Sequence, residues 1–337
     1  MRLKTKTVLI IILVLISIIS VFYLLSLSKN KQNVPAVSPP KPALVQNYKG
    51  KFMITLSVEK NEFTFPEKLP FLEFESSPSP LNESFARNVA AKLGFAGEPT
   101  KVEDSLDGTT YFWKSDKGTL FVYSRSQKIR GGFGSFTPGI NKQLSDAAIS
   151  ATAQEFIINN GLLDKDFFQT GAIKFLGQFP GGEGFRETTK EKAVLYQVSI
   201  LPKTVNYELI SLSSVEPASY VQIKQDGSTY SFQISIFPAL KNGATEYKLK
   251  DYDELESSLN EACLIELRRS TVLLSDLPVD LIQNIEVNKI EIAYLMEFSK
   301  ATSFQPIYKL SGEAMLKDSN DKAVATLYLP AFSEKQR

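Results

Sequence analysis

Tyr220–Phe237 (YVQIKQDGSTYSFQISIF) is the stretch on which the fold turns. Apolar and polar residues alternate on both sides of Gln225-Asp226-Gly227-Ser228, which predicts strands Tyr220–Lys224 and Thr229–Phe237 joined by a tight turn. Asp-Gly between alternating runs is a strong short-range hairpin signal, because glycine takes the positive φ such turns need. A further strand is expected at Ala193–Leu201, after a glycine-rich excursion.

Moving toward the N-terminus, Ser145 is placed to cap a helix. Leu144 and Ile149 can form a hydrophobic staple, and Ile149, Ala153, Phe156 and Ile157 make one apolar stripe. Asn159-Asn160-Gly161 supplies the stop. Another helix is expected from Ser79, with Pro80 at its first position. Leu81, Phe85, Val89 and Leu93 recur every four residues, Ala86 and Ala90 lie beside them, and Gly94 ends the run. Strands Thr109–Lys114 and Thr119–Arg125 follow, joined by Ser115-Asp116-Lys117-Gly118.

Toward the C-terminus, Asp251 and Glu254 mark the start of a third helix. Tyr252, Leu255, Leu259, Ala262 and Cys263 line one side of it, and Arg268-Arg269 closes it. A long strand Ile285–Phe298 and strands Phe304–Ser311 and Lys322–Leu329 complete a meander. The expected fold class is α+β, a helix followed by an antiparallel meander, three times over. The expected subdomains are 47–140, 141–240 and 241–337.

In front of them, Val8–Leu27 (VLIIILVLISIISVFYLLSL) is 20 residues without a charge. At about 1.5 Å per residue a helix of this length spans roughly 30 Å, the thickness of a bilayer's hydrocarbon core. The sequence therefore predicts a cytoplasmic tail at 1–7, a single transmembrane helix at 8–27 and a proline-rich linker at 28–46. A cleaved signal peptide is the alternative, but its apolar region is shorter, about 7–15 residues, and Ser26-Leu27-Ser28 is a poor cleavage site. Arg2, Lys4 and Lys6 favour a cytoplasmic N-terminus, which puts the remaining chain outside the cytoplasm in the cell membrane's single-pass class. A second proline-rich stretch, Phe65–Pro80, is expected to wrap the first subdomain as an extended loop.

Composition closes off several chemistries. The 337 residues contain no histidine and one cysteine, Cys263. Histidine bases, histidine-ligated zinc, internal disulfides and cysteine-cluster metal sites are therefore excluded. A net charge of +1 provides no field to collect nucleic acid, although basic and aromatic residues interleave from Tyr123 to Arg130. Gly131-Gly132-Phe133-Gly134 and Gly181-Gly182-Glu183-Gly184 fit neither phosphate-binding motif and read as loops at sheet edges. Arg130 and Arg186 beside them leave an anion-binding loop open.

Asp251, Asp253, Glu254 and Glu256 read as helix-start charges, and Asp318, Asn320 and Asp321 as a hairpin turn. Cys263 reads as a small buried hydrophobe, and Trp113, beside Tyr111 and Phe112, as part of a strand with one core face. No catalytic, cofactor-binding or metal-ligating residue is assigned, and no cofactor is expected.

The helix-to-meander blocks Tyr252–Ile265 (YDELESSLNEACLI), Ile290–Leu295 (IEIAYL), Phe304–Tyr308 (FQPIY) and Tyr328–Ala331 (YLPA) resemble the PepSY-like domains of the YycH/YycI family. Those are membrane-anchored accessory proteins that restrain a sensor histidine kinase. The resemblance spans residues 80–331 in topology. It implies a non-enzymatic regulatory module whose partners are the bilayer, through residues 8–27, and a membrane or envelope protein such as a sensor kinase. A structural or assembly protein of the cell envelope and a carboxylate-dependent envelope hydrolase are the alternatives.

Overall fold

In the turn that follows Lys224, Gly227 takes φ +85°, which a side chain would strain. Its N–H donates to the Lys224 carbonyl at 2.9 Å. The Asp226 carboxylate accepts from the Ser228 backbone N–H at 2.8 Å and from its hydroxyl at 2.6 Å. The turn is thus closed by hydrogen bonds among its own residues.

The computed structural model describes residues 44, 52–105, 107–136, 143–178, 184–211, 214–236, 238–269, 272–273, 281–296, 303–317 and 322–335. The first part runs β1 Met53–Leu56, β2 Lys68–Phe74, α1 Glu83–Lys92, β3 Thr100–Asp104, β4 Gly108–Ser115, β5 Gly118–Tyr123 and β6 Lys128–Phe133. The middle runs α2 Asp146–Asn159, β7 Phe168–Gln178, β8 Phe185–Glu187, β9 Leu195–Pro202, β10 Glu208–Ser211, β11 Ser214–Pro217, β12 Tyr220–Lys224 and β13 Thr229–Ser235. The last part runs β14 Leu240–Lys248, α3 Tyr252–Ser257, β15 Cys263–Arg269, β16 Val272–Leu273, β17 Ile282–Met296, β18 Ser303–Leu316 and β19 Lys322–Pro330.

Two large sheets hold these strands. The nine-stranded sheet has the order β3-β4-β5-β6-β13-β12-β9-β7-β8 and is antiparallel throughout. One face buries Leu120, Val122, Ile129, Val198, Val221, Ile223, Phe232 and Ile234 beneath Val89 and Ala90 of α1 and Ile149, Ala153 and Ile157 of α2. The two-residue alternation of a strand sends Gln197, Ser199, Gln222 and Ser231 to the opposite face. On that face Phe112, Phe121 and Tyr123 form a ladder, with ring centroids 4.6 Å and 6.1 Å apart.

The ten-stranded sheet is built on β17, β18, β19 and β15, all antiparallel neighbours. β17 is long enough to take two parallel partners in succession: β1 from Asn284 to Val287, and β10 from Ala293 to Met296. β2 and β14 join through Ser303 and Phe304 of β18. One face buries Leu264, Leu267, Ile285, Val287, Tyr308, Leu310, Leu327 and Leu329 beneath Leu255 and Leu259. Residues Lys41–Ser333 make one compact unit.

This architecture corrects the expected α+β class of tandem helix-plus-meander, PepSY-like units. The described residues hold nineteen strands against three α-helices, and the meanders do not stand alone. β6 pairs with β13, and β1 and β2 pair with β17 and β18, so backbone groups at meander edges are satisfied by strands far away in sequence. The third helix shrinks to Tyr252–Ser257. Cys263, Arg268 and Arg269, expected on it, lie in β15, because Ala262 turns extended after a short 3-10 turn. The first helix starts at Glu83 rather than next to Ser79. The Leu81 N–H is held by the Ser124 carbonyl at 2.9 Å, and Asn82 caps the Phe85 N–H at 2.8 Å. Part of the proline-rich Phe65–Pro80 stretch is strand β2, whose Pro70 carbonyl accepts from the Tyr294 hydroxyl at 2.9 Å.

The membrane topology is corrected as well. Among the described residues no helix is long and apolar enough to cross a membrane. The longest, α2, has 14 residues and reaches only about 21 Å. The stretch 8–27 and the linker 28–46, apart from Leu44, lie outside the described residues. The single-pass, extracytoplasmic placement is corrected by that finding.

Candidate functional site

The two sheets meet through charged and polar side chains. The Ser199 hydroxyl donates to Glu208 Oε1 at 2.7 Å, and Gln197 Nε2 donates to Glu216 Oε2 at 2.7 Å. Gln222 Nε2 donates to Gln197 Oε1 at 2.8 Å, and the Ser231 hydroxyl donates to Gln222 Oε1 at 2.5 Å. Lys309, only 4% exposed, reaches Glu208 Oε2 at 3.8 Å. Burial, with Lys174 nearby, pushes the Lys309 pKa below its ordinary value in spite of Glu208, Glu291 and Glu216. For Lys174 burial acts the same way, but Glu208, Glu216, Glu187 and Glu291 outweigh it and raise its pKa. Glu208 and Glu216 are therefore carboxylates built into a wall between sheets. Each is hydrogen-bonded by a neutral side chain of β9, an arrangement that fixes the sheets' register more readily than it performs acid-base work.

An apolar cleft opens where the chain passes from one sheet to the other. Its position follows from how α2 ends. Gly161 takes φ +57° there and donates its N–H to the Ile158 carbonyl at 2.9 Å, while the Leu162 N–H reaches back to the Ile157 carbonyl at 3.0 Å. This paired closure turns the chain sharply and aims Leu162 into the core. The following loop runs to Phe168 at the start of β7, and the Phe167 carbonyl accepts from the Lys203 N–H at 3.1 Å. Ile200 and Leu201 of β9 form the second wall. Ile236, Pro238 and Ala239, between β13 and β14, and Leu240 at the start of β14 form the third.

The cleft holds about 410 Å³, within the usual range for ligand sites. Its buried hydroxyls are committed to the backbone. Ser219 Oγ accepts from the Ser235 N–H at 2.9 Å, and the Ser235 hydroxyl donates to the Ala218 carbonyl at 3.0 Å. Charge is confined to the mouth, where Lys203 lies 3.9 Å from Asp166. Asp164 accepts from the Asp166 N–H at 3.0 Å and makes no ion pair among the described residues. Phe167 stands at the rim, 61% exposed. Such a surface can hold an apolar group by burial and orient it by one or two charges.

The residues weighed in sequence are scattered. Arg130 is exposed on β6, and Arg186 lies on β8. Gly131–Phe133 belong to β6, Gly184 precedes β8, and Gly181–Glu183 lie outside the described residues. Tyr123, Lys128 and Arg130 do share a sheet face, with Lys128 Nζ 5.2 Å from the Tyr123 ring. The rings of the aromatic ladder stack on one another, however, which leaves little ring face for a ligand. Asp251 caps the Glu254 N–H at 2.9 Å, and Asp253 pairs with Lys60 at 2.6 Å. Cys263 is half-buried in β15, where burial raises its thiol pKa. Trp113 is buried and donates to the Gly97 carbonyl at 3.1 Å. Asp318, Asn320 and Asp321 lie outside the described residues. Sequence reasoning missed the cleft. Its one local sign was Asn159-Asn160-Gly161, read only as a helix stop.

No protein-family model and no curated protein matches the chain. Among solved structures it is similar to an uncharacterized protein from Eubacterium rectale ATCC 33656, at 11% identity and a TM-score of 0.42. The match covers 80% of this chain and 84% of that one.

Proposed function

We propose that this protein is a non-catalytic accessory module that regulates a protein partner by holding a partner segment in the cleft beside Phe167. The supporting observation is the cleft itself, with apolar walls, committed hydroxyls and charge only at the mouth. A second hollow of mixed polar and apolar lining flanks the same loop, bounded by Ile158, Gly161, Leu162, Leu163, Asp164 and Lys165, so the recessed surface continues past the cleft. A protein segment can cover both, whereas a compact small molecule fills one. The segment that fits carries a bulky apolar side chain as anchor and a basic residue next to it to face Asp164.

Selection of a random-peptide display library on the full-length chain tests this reading. Enriched peptides are expected to share an aromatic or leucine residue adjacent to lysine or arginine. Phe167→Ala and Asp164→Asn both alter exposed side chains, and asparagine keeps the acceptor for the Asp166 N–H while removing the charge. Each should weaken those peptides roughly fivefold to tenfold. Peptides without a shared anchor, or binding to both variants as tight as to the wild type, would discard the cleft as the recognition site.

A further inference from the structure

β3 is the terminal strand of the nine-stranded sheet, and all five of its residues are exposed. Its outer backbone edge faces no strand among the described residues, so it can accept a partner strand. Edges of this kind are commonly protected by charge. Here the charges are arranged so that they complement one another under a two-fold rotation.

The strand reads Thr100-Lys101-Val102-Glu103-Asp104. In an antiparallel pair of two copies centred on Val102, Lys101 of each lies opposite Glu103 of the other, Thr100 lies opposite Asp104, and Val102 meets Val102. Moving the centre by one residue sets Lys101 against Lys101 or Glu103 against Glu103, so one register is selected and its neighbours are penalised. Within the chain, Lys101 pairs with Glu83 at 2.6 Å, while Glu103 makes no ion pair among the described residues. Val102 is 54% exposed. It lies in register with Thr110 and, through it, Tyr123, so a Val102 pair would extend the row beside the aromatic ladder.

We propose that two copies of this chain pair antiparallel through β3, about a two-fold axis at Val102, and join their nine-stranded sheets into one. The surface is isologous, as closed dimers require. It lies on a different element from the Phe167 cleft, so the two readings stand or fall separately.

Sedimentation velocity of the full-length chain up to about 100 μM measures the association directly. The wild type is expected to be dimeric. Lys101→Glu and Glu103→Lys should each weaken the dimer roughly tenfold or more, since either places like charges opposite each other twice per interface. The double variant Lys101→Glu/Glu103→Lys restores opposite charges and should dimerise within about threefold of wild type. Glu103→Lys leaves the Lys101–Glu83 pair in place, so its effect is free of intrachain loss. As a readout independent of charge, Val102→Cys in a Cys263→Ser background should form an intermolecular disulfide under mild oxidation, because directly opposed residues fall within bridging distance. A wild-type monomer at the highest concentration overturns the proposal. So does a double variant no better than the single ones, or a Val102→Cys chain that stays uncrosslinked.

Discussion

Lys174 lies in the field of carboxylates drawn from both sheets. It lies on β7, and the carboxylates that raise its pKa come from both sheets: Glu187 from β8, and Glu208, Glu216 and Glu291 from β10, β11 and β17. Lys174→Met keeps the stem's volume but removes the charge that offsets them. It should lower unfolding free energy by about 2 kcal/mol at neutral pH, measured by urea denaturation. The sign of the pH dependence follows from the raised pKa. The stabilisation is fully present below the ordinary lysine pKa of about 10.4 and is lost as pH rises through the higher folded-state value. Wild type and Lys174→Met should therefore converge only above about pH 10.4. Tyr294, Tyr308 and Tyr328 have raised pKa values from burial and titrate in both proteins, so the difference between the two curves carries Lys174 together with Lys309, whose pKa the Lys174 charge helps to lower. A gap that closed at lower pH would remove the charge argument.

At the scale of elements, α2 is the best defined piece of local structure. Ser145 Oγ accepts from the Ala148 N–H at 3.2 Å, and Ile149, Ala153 and Ile157 are fully buried on one side. Ser145→Ala should cost about 1 kcal/mol, read from a denaturant midpoint shift at constant slope. Gly161→Ala acts at the other end, where a Cβ would collide with Lys92 Nζ in a backbone conformation it disfavours. Since a lysine end can move, the expected cost is the conformational one, about 1 kcal/mol. The altered turn should weaken cleft-selected peptides as well. Ser145→Ala, remote from the cleft loop, should leave them unchanged. Both helix ends were legible in sequence, because caps and stops are local chemistry. The third helix was not: Leu259, Ala262 and Cys263 kept an apolar rhythm, but the chain left the helix after Ser257, and β15 instead pairs with β19 from Cys263↔Tyr328 to Arg268↔Val324.

At the scale of the whole molecule, Lys41–Ser333 is one unit in which the polar wall ties the two sheets together. Trp113 is the chain's single tryptophan and sits in the core of the nine-stranded sheet, so its fluorescence reports that sheet alone. Far-ultraviolet circular dichroism reports both. The two signals should trace one coincident denaturation curve; separated midpoints would mean that the sheets unfold independently.

The sequence alone determined a set of local features: the Asp226-Gly227 hairpin, the Ser145 cap, the Gly161 stop and the alternation of β17. Those features depend on residues within a few positions of each other. Which strands become neighbours was decided only in the tertiary structure. An apolar face specifies burial but not the partner that buries it, and an open edge accepts any strand with matching register. The joining of β6 to β13, the threading of β1 and β10 along β17, the Glu208–Lys309 wall and the cleft beside Phe167 all arise from pairings over long sequence separations. Their energies come from contacts that exist only once the chain has closed on itself.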